Sequence, residues 1–415
     1  MYAPLHSALR SDGGRFRLLQ LQPGRDGDPL SAALLPVSLT DRHSYEALSY
    51  VWGPPENQGS ILVDGETLAI RATLLTFLVA LRRADTSRLV YADAICINQA
   101  DDLEKGHQVQ MMGEIYQNAT KVLAWLGPGS LKTTLLFDVA KRVSADDYGS
   151  PADGEIQGSW RRDISLAAEM ASLRSTLDEV MERDYWKRAW IVQECLLAKE
   201  VVFCLGDAVV TWDQFLLVHM MLLNKPPVAR RYTWARLISG FTRFDHLAGE
   251  RANIDDYPQS LARIVNKFHT TESTVPHDMI YAFFRLLRVS RPDHPGRLMV
   301  DYGMPTSSLY LRAGYAYLVD PGTAMPHRVL PTLLHMLKLT SLEAFHAVLA
   351  LIDPEELLSP VDWIVGAWDP AETPAGRTFR KERKWEGLAY MDCHVADFTT
   401  LVRLLDAREN RHSSG

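Results

Sequence analysis

Three blocks of sequence decide the fold expected for this chain. Residues 45–53 read YEALSYVWG, residues 93–99 read DAICINQ, and residues 107–127 read HQVQMMGEIYQNATKVLAWLG. The first block is aromatic and apolar and stops at Gly53-Pro54, which is typical of a buried strand that ends in a loop. In the third block, the apolar spacing predicts an amphipathic helix over residues 102–118, followed by a strand at 121–126. Strands that alternate with helices predict a parallel sheet covered by helices.

The flanking sequence extends this α/β core in both directions. It predicts strands at 17–21, 33–39, 89–95 and 201–205, a hairpin over 60–70 with its turn at Asp64-Gly65, and helices at 73–83, 164–183 and 190–198. Residues 146–160 are rich in Gly, Asp, Ser and Pro and are predicted to form an exposed insertion. Beyond about residue 208, helical patterns dominate. We therefore expect an α/β domain with an N-terminal β extension over residues 1–210, and an α-rich region over 211–415.

The composition excludes several classes of protein. With 47% apolar and 23% charged residues, the 415-residue chain is typical of a folded globular protein. Its net charge of −7, with only the local basic cluster RKERK at 380–384, argues against nucleic acid as a partner. An apolar run of about 18 residues and a secretory h-region are both missing from the sequence, so we expect no membrane span and a cytoplasmic location.

Familiar catalytic and metal-binding motifs are absent from the sequence. The four cysteines, Cys96, Cys195, Cys204 and Cys393, have no C-x-x-C spacing and are expected to be reduced thiols, not metal ligands. Residues 127–133 (GPGSLKT) lack the glycine that a phosphate loop needs before its lysine. The sequence lacks H-E-x-x-H and G-x-S-x-G motifs, and no G-x-G-x-x-G motif follows a strand. It therefore does not support a zinc protease, a serine hydrolase or a Rossmann dehydrogenase.

The quoted blocks, together with RDYWKRAWIVQE at residues 183–194, resemble successive blocks of the fungal heterokaryon incompatibility (HET) domain family. The resemblance covers roughly residues 15–210, and looser similarity continues at 277–287 and 300–310. It implies a fold similar to that of TIR domains, some of which signal by assembly while others cleave NAD. It also implies a role in self/non-self recognition and programmed cell death when incompatible hyphae fuse.

Trp190 and Glu194 form a W-x-x-x-E pattern, which on a helix places both side chains on one face. The resemblance to NAD-cleaving TIR domains implies that Glu194 is the catalytic residue. The chemistry is suitable, because breaking an N-glycosidic bond creates an oxocarbenium-like centre that a carboxylate stabilises. Trp190 could then contact a ring of the ligand. The alternative is structural, with Trp190 as a core anchor and Glu194 bracing the helix.

Further candidates for substrate or nucleotide binding lie at the ends of two predicted strands, because ligands of α/β sheets gather outside the carboxyl ends of the strands. These candidates are Ser49, Tyr50, Trp52 and Gly53 after the first strand, and Asp93 and Asn98 after the second. The structural alternatives are a buried ring and a strained turn at Trp52-Gly53, and loop bracing by Asp93 and Asn98. Cys96 lies between two isoleucines and is expected to be an inert buried thiol.

Three functions remain open. The chain could be an incompatibility or cell-death effector that cleaves NAD as a substrate, with no bound cofactor. It could be a non-enzymatic module that self-associates or binds an incompatibility partner. It could also be an enzyme recruited to fungal small-molecule metabolism.

Overall fold

The computed structural model describes residues 14–56, 58–143, 164–223, 243–254 and 257–320, together with 332–333 and 335–339. The chain divides into two compact units, Met1–Asp255 and Asp256–Gly415. The predicted insertion at 146–160 and Cys393 lie outside the described residues. The domain boundary expected at residue 210 stays a prediction.

The described part of the first unit is built on a nine-stranded sheet with the strand order β5-β4-β2-β1-β6-β3-β7-β8-β9. The strands are β1 (Arg15–Leu21), β2 (Ser31–Ser38), β3 (Glu46–Tyr50), β4 (Gln58–Val63), β5 (Glu66–Arg71), β6 (Arg88–Tyr91), β7 (Lys121–Trp125), β8 (Val201–Leu205) and β9 (Ala208–Thr211).

Helices connect the strands and cover the sheet. In the first unit they are α1 (Ala72–Leu81), α2 (Asp93–Cys96), α3 (Asp102–Asn118), α4 (Leu131–Arg142), α5 (Ile164–Met181), a 3-10 turn (Asp184–Lys187), α6 (Ile191–Leu196), α7 (Trp212–Leu222) and α8 (Arg243–Arg251). The sequence accounts for several of their ends. Asp101 accepts a hydrogen bond from the Glu104 amide at the start of α3, and Ser130 and Thr133 form a capping box at the start of α4.

The centre of the sheet is parallel, because β6, β3, β7 and β8 pair in the same direction. All five residues of β8 are buried, as expected for a parallel strand covered on both faces. The predicted α/β fold with flanking helices is therefore confirmed, although the outer strand pairs β1–β2, β1–β6, β4–β5 and β8–β9 are antiparallel. The sheet is mixed as a whole.

The N-terminal β extension joins this same sheet through β1 and β2. The predicted hairpin forms between β4 and β5, and its turn residues Asp64 and Gly65 have φ values of +51° and +84°. Positive φ at both central residues is the mark of a tight type I′ hairpin turn, which Asp-Gly favours.

Two predictions of secondary structure were wrong. The strand expected over 89–95 ends at Tyr91, and residues from Asp93 onward form the short helix α2. An acidic residue at the start of a helix is favoured by the helix dipole, which explains the early turn. The helical region expected beyond residue 208 begins with strand β9, which pairs with β8 across the two-residue turn Gly206-Asp207.

An aromatic cluster forms the core on one side of the sheet. Trp186, Phe203, Phe215 and Phe244 have ring centroids 4.8–6.2 Å apart in tilted, stacked and edge-to-face pairs. Such pairs add to the free energy gained from apolar burial and fix the orientation of the rings. The cluster joins the 3-10 turn, β8, α7 and α8, and so anchors the chain segment that leads into α6.

In the second unit, the described residues 257–320 contain helices joined by turns, in agreement with the α-rich prediction. The helices are α9 (Leu261–Phe268), α10 (Asp278–Tyr281) and α11 (Thr306–Val319), with 3-10 turns at Phe284–Leu286 and Arg288–Ser290. Among the helices that the structure describes in either unit, none is long and apolar enough to cross a membrane.

Candidate functional site

Glu194 lies on the short helix α6 and is almost completely buried, with 1% of its surface exposed. The hydroxyl of Ser49, on strand β3, donates a hydrogen bond to Glu194 Oε2. The same hydroxyl lies 2.8 Å from the hydroxyl of Tyr185, in the 3-10 turn. Residues that are 145 positions apart in the sequence therefore meet at one carboxylate.

Arg188 contacts both oxygens of this carboxylate. Its Nη1 lies 3.4 Å from Glu194 Oε2, and its Nη2 lies 3.4 Å from Glu194 Oε1. The Arg188 side chain is 16% exposed, against 1% for Glu194. Sequence reasoning missed Arg188 and Tyr185, although both lie in the RDYWKRAWIVQE block.

Asp93 organises a second group of the predicted residues at the carboxyl end of β6. The hydroxyl of Tyr50 donates to Asp93 Oδ1 over 2.9 Å, and the indole Nε1 of Trp52 donates to Asp93 Oδ2 over 3.0 Å. The amide of Ala94 also donates to Oδ1 over 2.9 Å. The carboxylate thus fixes the positions of two aromatic side chains from the adjacent strand β3.

Gly53 and Arg71 complete the loop that follows β3. Gly53 has φ +75°, and a Cβ added there would lie 2.7 Å from Thr73 Oγ1. The carbonyl of Gly53 accepts a hydrogen bond from the Arg71 guanidinium, whose Cζ lies 5.2 Å from the centre of the Trp52 ring. Trp52 is therefore held by Asp93 at its edge and by a cation over its face.

Two predicted residues take other positions. The side chain of Asn98 accepts a hydrogen bond of 3.3 Å from the Ala100 amide, which is the loop bracing that was weighed as an alternative. Trp190 is half-buried at the start of α6, and its carbonyl accepts from the Glu194 amide over 3.1 Å. Among the described residues, no side-chain hydrogen bond or ring contact joins Asn98 or Trp190 to the Glu194 and Asp93 groups.

Burial and neighbouring charges together shift the pKa values of the ionisable residues in the site. Burial raises the pKa of Glu194 and the charge of Asp93 adds to this, while Arg188 and the Ser49 hydrogen bond oppose it. Burial alone would lower the pKa of Arg188, but the carboxylates of Glu194 and Asp93 outweigh it and raise that pKa. Burial, followed by the charge of Asp93, raises the pKa of Tyr50. Arg188 is thus a permanent cation whose charge interacts with two carboxyl groups.

A groove of about 750 Å³ lies beside β7 and β8, also at their carboxyl ends. It is lined by apolar side chains such as Val79, Leu131 and Leu205 and by polar residues that include Asp138 and Lys141. Gly129 and Gly206 lie on its floor, where a Cβ at either position would be 2.9 Å from the backbone of the other segment. These two glycines are required by the close approach of the two loops.

The described cysteines supply no reactive thiol to the Glu194 and Asp93 groups or to the groove. Cys96, Cys195 and Cys204 are buried and unbridged, and burial raises the pKa of each to about 12. Such thiols remain protonated at physiological pH and are poor nucleophiles. Across the described ranges, no three His, Cys, Asp or Glu side chains are grouped closely enough to hold a metal ion.

Comparison with known proteins agrees with the resemblance. Residues 45–194 match the family model described as "Heterokaryon incompatibility protein (HET)". A curated relative, "Heterokaryon incompatibility protein 6, OR allele" of Neurospora crassa, is 28% identical over 237 residues, which are 49% of this chain. The match spans 35% of that relative, about a third of its length. No solved structure matches this chain.

The matched segment begins at Tyr45, just before β3, and ends at Glu194 itself. It therefore contains every predicted site residue, together with Arg71, Tyr185 and Arg188, which the sequence did not predict. The chain therefore contains a segment, residues 45–194, that matches the heterokaryon incompatibility (HET) domain family.

Proposed function

We propose that this chain acts in self/non-self recognition of the heterokaryon incompatibility type, and that its HET domain cleaves NAD between nicotinamide and ribose to bring about cell death. The name of the Neurospora crassa relative supports the first part. The resemblance to NAD-cleaving TIR domains suggests the second.

The observation that carries the enzymatic proposal is the environment of Glu194. Its carboxylate is buried, contacts Ser49 and Arg188, and lies in the same part of the domain as the Asp93 group. Hydrogen bonds that fix a carboxylate in a water-poor site prepare it for a developing positive charge without reorganisation during the reaction.

The reaction suits a carboxylate as the principal group. When the bond between C1′ and the pyridinium nitrogen breaks, its electron pair goes to the nitrogen, and nicotinamide leaves as a neutral molecule. The ribose C1′ becomes an oxocarbenium-like centre, which Glu194 stabilises by its negative charge. Water then adds to C1′ and loses a proton, which gives ADP-ribose. The leaving group needs no proton, so a charged carboxylate suffices.

Access to Glu194 requires a small rearrangement, because only 1% of its surface is exposed. Arg188 is its more exposed neighbour at 16%, and its contacts of 3.4 Å are longer than those of a tight ion pair. A ligand that shifts Arg188 would therefore reach the carboxylate at the lowest cost.

The test is release of nicotinamide from NAD by wild-type protein and by Glu194→Gln, followed by chromatography. Glu182→Gln is the matched control, because Glu182 is an exposed glutamate immediately before the block at residues 183–194. We expect release by wild type and by Glu182→Gln, and a loss of at least about 100-fold in Glu194→Gln. Equal release by all three proteins, or by none at high protein concentration, would contradict the enzymatic proposal.

A second candidate function is a non-enzymatic assembly module. It is favoured by two exposed apolar residues that line the groove, Leu131 at 91% and Val79 at 44% exposed. Under this function, Glu194 only braces α6 against β3. The protein would then assemble in a concentration-dependent way and show no nucleotide turnover.

A further inference from the structure

The site contains two arginines, and their charges are compensated to different extents. Arg188 lies against Glu194, and the charge of Asp93 also acts on it. Arg71 is different, because among the described residues no carboxylate oxygen lies within ion-pair distance of its guanidinium. Its contacts are the carbonyl of Gly53 and the face of Trp52.

Arg71 is also held in place. It is the last residue of β5, and its half-buried side chain reaches across to the loop after β3. The Gly53 carbonyl that it contacts is oriented by a backbone with φ +75°. Trp52, beneath the guanidinium, is fixed in turn by its hydrogen bond to Asp93. A cation held by a carbonyl and a ring keeps its full positive charge available to a ligand.

The charges around Arg188 and Arg71 decide which of the two arginines is better able to bind an anion. An anionic group that approaches Arg188 would also meet the nearby carboxyl groups of Glu194 and Asp93, so attraction and repulsion largely cancel. The helix that follows Arg71 adds no opposing charge, because the first turn of α1 contains no acidic residue. The planar guanidinium of Arg71 can donate two parallel hydrogen bonds to a phosphate.

We propose that Arg71 is the anion-recognition residue of the HET domain site and binds a phosphate group of a phosphorylated nucleotide while Trp52 contacts the adjoining sugar or base. This inference rests on the proposed function, because it identifies how the NAD-like substrate is recognised. It assigns binding to Arg71 and leaves the bond-breaking step to Glu194.

Two substrates separate these roles. NAD and nicotinamide riboside share the same N-glycosidic bond, but nicotinamide riboside has no phosphate. Arg71→Gln is expected to lower kcat/KM for NAD about tenfold or more, mainly through KM, because a charge-assisted hydrogen bond is lost. It should lower kcat/KM for nicotinamide riboside far less, because that substrate has no phosphate for Arg71 to bind. Arg71→Lys, which keeps the charge, should recover part of the loss with NAD.

Arg83→Gln is the matched control, since Arg83 is an exposed arginine just beyond the opposite end of α1 and the substitution removes the same charge. We expect it to behave as wild type with both substrates. An equal loss with NAD and nicotinamide riboside in Arg71→Gln, or no loss with either, would overturn the inference. Thermal unfolding of each variant checks that the domain remains folded.

A binding measurement keeps the inference testable if the chain cleaves neither substrate. Titration calorimetry with ADP-ribose, which has the phosphates but no scissile bond to nicotinamide, should show binding to wild type and about tenfold weaker binding to Arg71→Gln. That result without turnover would refute NAD cleavage and retain Arg71 as the phosphate contact. No binding to wild type, or equal binding to both proteins, would refute the role of Arg71.

Discussion

Gly53 illustrates how a single residue controls the site. A Cβ at this position would meet Thr73 Oγ1 at 2.7 Å, and φ is +75°, so alanine is opposed both by backbone strain and by contact. The loop that carries Trp52 and accepts Arg71 therefore depends on glycine.

We expect Gly53→Ala to lower the free energy of unfolding by about 1 kcal/mol more than Gly65→Ala does. Gly65 is a matched control, because its φ is +84° but a Cβ there has no neighbour within 4 Å. Urea unfolding of both variants measures the difference. If the two variants lose the same free energy, the contact with Thr73 is not important.

The buried carboxyl of Glu194 predicts a dependence of stability on pH. Burial raises its pKa in the folded protein above the ordinary value of 4.5, so the folded state holds this proton more tightly than the unfolded state. The favourable contribution is complete below about 4.5 and is lost as the pH rises through the folded pKa.

Glu194→Gln cannot lose this proton. We therefore expect the free energy of unfolding of wild type, relative to Glu194→Gln, to fall as the pH rises above about 4.5 and then to level off. Chemical unfolding of both proteins from pH 4 to pH 8 tests this direction. A difference that rises with pH would show that Arg188 and Ser49 outweigh burial and lower this pKa instead.

At the level of elements, an ion pair joins strand β1 to helix α3. Arg17 and Glu104 are 1% and 0% exposed, and their side chains form two hydrogen bonds of 2.7 and 3.0 Å. Glu104 also accepts a hydrogen bond of 2.8 Å from the Asn98 amide. The pair therefore ties the N-terminal β extension to the loop that follows Asp93.

Arg17→Met leaves the Glu104 carboxylate buried without its cation, so we expect a loss of about 3–5 kcal/mol in the free energy of unfolding. The control is Lys141→Met, which removes the 3.4 Å ion pair with Asp138 on the surface of α4. Exposed pairs of this kind contribute less than about 1 kcal/mol. Similar losses in guanidinium unfolding of the two variants would contradict the structural role of the buried pair.

The sequence predicted elements better than it predicted their contacts. Helix α3 has the predicted bounds, residues 102–118, because its apolar spacing and its Asp101 cap are local signals. Strand β9 was missed because it has only four residues, although Gly206-Asp207 before it is a recognisable hairpin turn. Short strands are stabilised by their partner strand, which a local pattern does not contain.

The residues of the candidate site also divide into those that the sequence predicted and those that it did not. Ser49, Tyr50, Trp52, Gly53 and Asp93 were named because loops after parallel strands carry function, and the structure places them in two adjoining groups. Arg188 and Arg71 were missed, because an arginine gives no sequence signal of which distant carboxylate or ring it contacts. Their importance depends on tertiary contacts alone.

At the scale of the whole molecule, the HET family match lies inside the first of the two compact units. The exposed apolar residues Leu131 and Leu135 belong to the same unit and lie on one face of α4, 91% and 48% exposed. Residues spaced by four positions on a helix are neighbours, so these two leucines lie side by side on the surface. Such a surface suits self-association of the HET domain.

The assembly function therefore predicts that Leu131→Ser combined with Leu135→Ser weakens self-association. Burying one leucine at an interface contributes about 1.5–3 kcal/mol, so loss of both should raise the dissociation constant by roughly 100-fold or more. Leu103→Ser is the matched control, because Leu103 is 66% exposed on a different helix, α3. Sedimentation velocity of the full chain over a range of concentrations measures the dissociation constants. A wild-type monomer at every concentration, or equal weakening by Leu103→Ser, would rule out α4 as the surface of assembly.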